Sequence, residues 1–100
     1  MAHLFIIDFT YTASLERIDE MLDEQRAWFD DGYAAGVLLA SGRKVPRKGT
    51  IILAVGQSAA EIDRYFQGSP FVRNGLVEHR ITEFVPSKTC DALTQYRTDK

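Results

Sequence analysis

Asp8, Gln25, Ser69 and His79 are the positions at which this chain has chemistry to offer, each for its own reason. Gln25 belongs to the series Leu15, Ile18, Leu22, Gln25 and Phe29, whose spacing puts all five on one face of a helix, and it is the one polar member. A polar group facing a core costs roughly 1–3 kcal/mol unless it is hydrogen-bonded. Either a partner satisfies Gln25, or the apolar stripe opens there onto a cavity. A glutamine can hold a ligand, but it exchanges no proton.

Asp8 follows the apolar run Leu4-Phe5-Ile6-Ile7, where strand propensity and the desolvation of charge both oppose an aspartate. It reads either as an exposed carboxylate near a strand end or as the acid of a cleft. His79 shares one face of a strand with Val77 and Ile81. A lone histidine there packs at a core or an interface, or else serves as an acid–base group. Ser69 stands before Pro70 and reads as a turn residue, or as a hydroxyl in the same cleft as Gln25. A serine nucleophile needs a base within reach, and the spacing reveals none. Arg43, Lys44, Arg47 and Lys48 crowd one loop, which is either a solvated hairpin or an attractor for an anionic ligand.

Several function classes are disfavoured. Twelve basic against fourteen acidic residues leave a net charge of −2, without an electrostatic footprint for nucleic acid or an anionic membrane. Two histidines and one cysteine form no metal-ligand spacing, and no glycine-rich phosphate loop or dinucleotide fingerprint is present. No metal or cofactor is expected. The lone Cys90 precludes an intrachain disulfide and fits a reducing compartment. The opening Met-Ala-His-Leu-Phe-Ile-Ile-Asp lacks a basic leader and is too short in its apolar run to span a membrane. A cytoplasmic protein is the expectation.

The elements that must position these residues follow from periodicity and punctuation. A strand is predicted over residues 3–10, and a long helix over residues 15–35, capped by Ser14 and ended by Gly36. Strands are predicted over residues 37–41 and 50–55, on either side of the basic loop. Ser58-Ala59-Ala60-Glu61 is a capping box that opens a second helix with Ile62, Tyr65 and Phe66 inward. Gly68-Ser69-Pro70 breaks that helix, and a fourth strand spans residues 76–85. Residues 1–86 form the predicted domain, and residues 87–100 a loose or partner-wrapping tail.

The order βαββαβ is that of an α+β, ferredoxin-like domain: an antiparallel four-stranded sheet with two helices on one face. Strands one and three are central in that topology, and they carry the unbroken apolar runs, whereas strand four alternates. Continuous apolar strands need cover on both faces, and two helices cover only one. A second copy packed sheet to sheet supplies the rest, so a homodimer is predicted.

The run Gln-Arg-Ala-Trp-Phe-Asp-Asp-Gly-Tyr-Ala-Ala-Gly-Val-Leu-Leu-Ala-Ser-Gly over residues 25–42 resembles the YCII (YciI-like) family. Lys44-Val-Pro46, Gly-Thr-Ile-Ile-Leu-Ala over residues 49–54 and Ser-Pro-Phe-Val-Arg-Asn-Gly-Leu over residues 69–76 extend the resemblance to about residues 2–85. It implies a dimeric α+β barrel and a cleft in which a histidine and an aspartate are proposed to do acid–base chemistry. One branch includes a dehydrochlorinase acting on a chlorinated hydroxyquinol. In this chain Gln25 aligns with the family's histidine and Ser69 with its aspartate.

The leading expectation is a dimer that binds a small aromatic or anionic ligand in a cleft, without that acid–base chemistry. Gln25, Ser69, Ser41 and Arg43 are its expected ligand contacts. The alternatives are a lyase- or isomerase-type enzyme, dehydrochlorinase-like, that uses Asp8 or His79 as substitute acid–base groups, and a structural dimerisation module.

Overall fold

The computed structural model describes residues 2–98. In chain order it contains β1 (His3–Tyr11), α1 (Leu15–Glu20), α2 (Leu22–Ala34), β2 (Leu38–Arg43), β3 (Gly49–Gly56), α3 (Ala59–Phe66), α4 (Pro70–Arg73) and β4 (Val77–Phe84). A 3-10 turn, Asp91–Tyr96, comes after the last strand. The strands form one antiparallel sheet in the order β2-β3-β1-β4, so the two most apolar strands are central, as the sequence predicts. This is the expected ferredoxin-like α+β fold.

Strand register sorts every side chain by face. Phe5, Ile7 and Phe9 of β1 are fully buried, and they pair across β3 with Ala54, Ile52 and Thr50. Alternation puts all six on one face, which forms the core with Ile18, Leu38, Ile62, Phe66, Phe71 and Leu76. Burying each large apolar side chain contributes about 1.5–3 kcal/mol, so this row of β1 is the backbone of the core. The opposite face carries Ile6, Asp8 and Thr10 of β1, Ile51 and Leu53 of β3, and Glu78, Arg80, Thr82 and Phe84 of β4. Ile6, Ile51 and Phe84 remain 38–39% exposed there.

The helical layer differs from the sequence reading in two places. The predicted long helix is divided at Met21 (φ −100°, ψ 2°), whose amide bonds back to Ile18 in a tightened turn. Leu15, in the first turn of α1, stays 44% exposed while Ile18 is buried. After Ser69 the chain re-enters a helix for one turn, α4, with Pro70 at its first position, where the missing N–H costs nothing. The predicted caps do form: Ser14 Oγ accepts from Arg17 N, and Ser58 Oγ accepts from Glu61 N. Gly36, at φ +77°, ends α2. The segment after Pro86 makes its 3-10 turn and returns far enough for the Thr98 amide to donate to the Pro86 carbonyl at 2.7 Å.

Gly49 marks where β3 closes on β1. A Cβ at this position would lie 1.9 Å from the Phe9 carbonyl oxygen, so the two central strands approach in a way that no side chain permits. Gly49→Ala is therefore expected to force the strands apart and to destabilise the fold by about 2–4 kcal/mol or more. Urea unfolding, or loss of soluble expression, would register it. An alanine variant as stable as wild type would contradict this packing.

Candidate functional site

The site begins with the amide of Gln25. Its side chain is 1% exposed, and Oε1 accepts two hydrogen bonds, from Ser69 Oγ at 2.9 Å and from the Phe71 backbone N–H at 3.1 Å. A backbone N–H can only donate, so the atom facing it is the oxygen, which fixes the orientation of the amide. Phe71 N is one of the orphan donors at the start of α4. The Ser69 hydroxyl does not cap its own helix but points to Gln25, which does the capping from α2. Nε2, at the other end of the amide, is buried without a hydrogen-bond partner among the described residues.

Gln25 forms part of the wall of a cavity of about 320 Å³. From α2 come Leu22, Gln25, Arg26 and Phe29, and β2 contributes Ser41, Gly42 and Arg43. Tyr11 and Thr50 enter from the ends of β1 and β3, Arg47 from the basic loop, and Phe71 from α4. The hydroxyls of Tyr11 and Thr50 are 3.5 Å apart, and the Tyr11 and Phe71 rings meet edge to face with centroids 6.1 Å apart. Ser41 Oγ is 2.7 Å from Tyr33 Oη. Arg47 is tied to Asp19. Its hydrogen bond holds the Asp19 carboxyl below the usual carboxylate range. The Asp19–Arg47 pair is therefore intact above the ordinary carboxylate pKa and breaks only as pH falls through the lowered value. At neutral pH Arg47 stays at the cavity.

The structure brings three of the four expected ligand contacts, Gln25, Ser41 and Arg43, into this one wall, and Ser69 stands directly behind Gln25. It separates the other two candidates. Asp8 pairs across the sheet with Arg80, whereas His79 pairs with Phe9, so their side chains project from opposite faces. His79 packs edge-on against Phe9, with ring centroids 6.3 Å apart, and its Nε2 lies 3.2 Å from Asp63 Oδ1 on α3. Asp8 Oδ1 forms an ionic contact with Lys44 Nζ, which directs its hydrogen bond at Thr10 Oγ1. Neither lines the Gln25 cavity.

The basic loop is accordingly not one solvated patch: Arg43 and Arg47 turn to the cavity and Lys44 to the open sheet face. Sequence reasoning missed Tyr11, Thr50, Arg26 and Phe71. Tyr11 was within reach, because it continues the alternation Phe5, Ile7, Phe9 by one more step. Phe71 carried no signal, since its contribution at Gln25 is a backbone amide. Among the described residues no group of three His, Cys, Asp or Glu side chains is placed to hold a metal ion, and no helix is long and apolar enough to cross a membrane.

The profile of the YCII-related domain matches residues 1–85. The chain belongs to the YCII-related family. No curated protein matches it. Among solved structures it is similar to 5-chloro-2-hydroxyhydroquinone dehydrochlorinase (TftG) from Burkholderia phenoliruptrix AC1100, in complex with 2,5-dihydroxybenzoquinone. That match has a TM-score of 0.72 at 16% identity and covers 83% of this chain and 94% of the other. A mutant form of SnoaB, a cofactor-independent oxygenase from Streptomyces nogalater, matches with a TM-score of 0.50 at 12% identity, covering 90% and 97% of the two chains. At these identities the likeness is one of fold. Gln25 and Ser69 are in contact as an amide and a hydroxyl, which hold each other without a titrating group.

The Gln25 bonds predict an order of stability. Gln25→Leu leaves the Phe71 N–H and the Ser69 hydroxyl without their acceptor, at roughly 1–3 kcal/mol for each buried group. Gln25→His keeps one ring nitrogen as acceptor and turns the other towards the cavity. Urea unfolding should place Gln25→His between wild type and Gln25→Leu. Leucine equalling wild type would mean that the amide caps nothing.

Proposed function

We propose that this YCII-related protein is a small cytoplasmic homodimer that binds a small aromatic or anionic molecule in the cavity at Gln25, with no proton transfer at positions 25 and 69. The observation that carries the reading is the unpartnered buried Nε2 of Gln25. Buried donors are almost always paired, and leaving one unpaired costs roughly 1–3 kcal/mol. The cost is tolerable where a ligand oxygen completes the site. The rings of Tyr11, Phe29 and Phe71 offer a planar ligand apolar walls, and the arginines offer it charge.

The dimer rests on the open face of the sheet. Ile6, Ile51 and Phe84 are exposed on strands β1, β3 and β4, the latter two each diagonal to Ile6, and a second copy laid face to face buries them. A domain of this size also gains stability from a partner surface. The single cysteine, exposed and unpaired, agrees with a reducing cytoplasm. We take residues 1–86 as the folded unit and residues 87–100 as its tail.

The enzymatic alternative built on Asp8 and His79 is weaker. The two face opposite sides of the sheet, and each is engaged by a neighbour of opposite polarity. A purely structural module has no use for an unpartnered buried donor beside a cavity.

Two measurements test the reading. Sedimentation at micromolar concentration should give twice the chain mass for wild type and the single mass for Ile51→Asp; a monomeric wild type would remove the dimer. Titration with 2,5-dihydroxybenzoquinone, followed by amide chemical shifts, should perturb Gln25, Thr50 and Phe71 first. Perturbation elsewhere, with that cavity silent, would leave the ligand-binding proposal without its site.

A further inference from the structure

We infer that the Gln25 cavity selects a planar carboxylate: an aromatic or conjugated acid of about one ring, bound through oxygens that act only as acceptors. The inference rests on the ligand-binding reading above and gives that ligand its charge and its hydrogen-bond polarity.

Polarity comes first. Every polar side chain in the wall whose role is fixed is a donor: Gln25 Nε2 and the guanidiniums of Arg26, Arg43 and Arg47. The remaining hydroxyls already have companions, Tyr11 with Thr50 and Ser41 with Tyr33. No aspartate, glutamate or histidine lines the cavity. A ligand N–H could reach only hydroxyl oxygens already engaged with one another, whereas a carboxylate has about four lone-pair sites, enough for Gln25 Nε2 and a guanidinium fork together.

Charge points the same way. The chain as a whole is acidic, at −2, yet three guanidiniums meet in this wall. Asp19, which holds Arg47 and lies close enough to Arg26 to feel its charge, offsets one of the three. Arg43 has no ion pair among the described residues. The contrast within the molecule is direct. A hollow of about 280 Å³ on the open sheet face is lined by Asp8, Thr10, Glu78, His79 and Arg80, so carboxylates enter that wall and none enters the Gln25 cavity. Size and shape complete the case, since about 320 Å³ between aromatic side chains is at the small end for ligand pockets. It suits a single flat ring.

Benzoate and its neutral isostere benzamide separate the possibilities, with calorimetry for affinity and amide chemical shifts for location. Benzoate should perturb Gln25, Thr50 and Phe71 and bind about tenfold or more tightly than benzamide, a difference that shrinks as salt is raised. Arg43→Gln, an exposed substitution that leaves the fold alone, should weaken benzoate about three- to tenfold and leave benzamide unchanged. Benzamide binding in the cavity as tightly as benzoate would overturn the carboxylate inference and leave the ligand-binding reading standing. So would benzoate affinity indifferent to Arg43→Gln. If benzoate, benzamide and 2,5-dihydroxybenzoquinone all leave the cavity residues unperturbed, both readings fall together.

Discussion

The contact between α2 and α4 through Gln25 governs what this molecule can do. A single amide oxygen takes the Phe71 N–H and the Ser69 hydroxyl, joining two helical segments 44 to 46 residues apart in sequence. Polar atoms in a core are stable only when matched, so this oxygen positions α4, and α4 in turn places Phe71 in the cavity wall. The same amide has a second end, and geometry forbids both ends from serving α4. What satisfies the helix therefore leaves a donor over, and the leftover donor gives the cavity its polarity.

The sheet divides the molecule's tasks by the alternation of its side chains. One face of β1 and β3 holds the core and, at its Tyr11–Thr50 end, the cavity. The other face, with Ile6, Ile51 and Phe84 uncovered, is free for a partner. A one-residue step along β4 moves a side chain from one task to the other, which is why neighbouring His79 and Arg80 have nothing in common. His79 joins β4 to α3 through Asp63, and Arg80 lies with Asp8 and Glu78 on the open face.

Gln25 and Ser69 hold a buried hydrogen bond without a titrating group between them. The scaffold needs an acceptor at position 25 and a short polar side chain at position 69. Neither supplies a proton in the physiological range.

The sequence by itself determined the ferredoxin-like order, the central positions of β1 and β3, the Ser14 and Ser58 caps and the oddity of Gln25. These are properties of period, punctuation and local chemistry, which a linear reading contains. It did not determine the break at Met21, where no proline or glycine announces the turn, or the helical turn of Pro70–Arg73, whose first amide is satisfied from a helix far away in sequence. It singled out Arg43 as a ligand contact but left Lys44, Arg47 and Lys48 undivided, although the folded chain sends Arg47 to the cavity beside Arg43 and Lys44 to Asp8. Loop charges take their roles from what lies opposite them, and only the packed chain says what that is. Gln25 shows the division most clearly: the sequence made its burial a question with two answers, a partner or a cavity. The tertiary structure supplies both, because an amide has two ends and they face different neighbours.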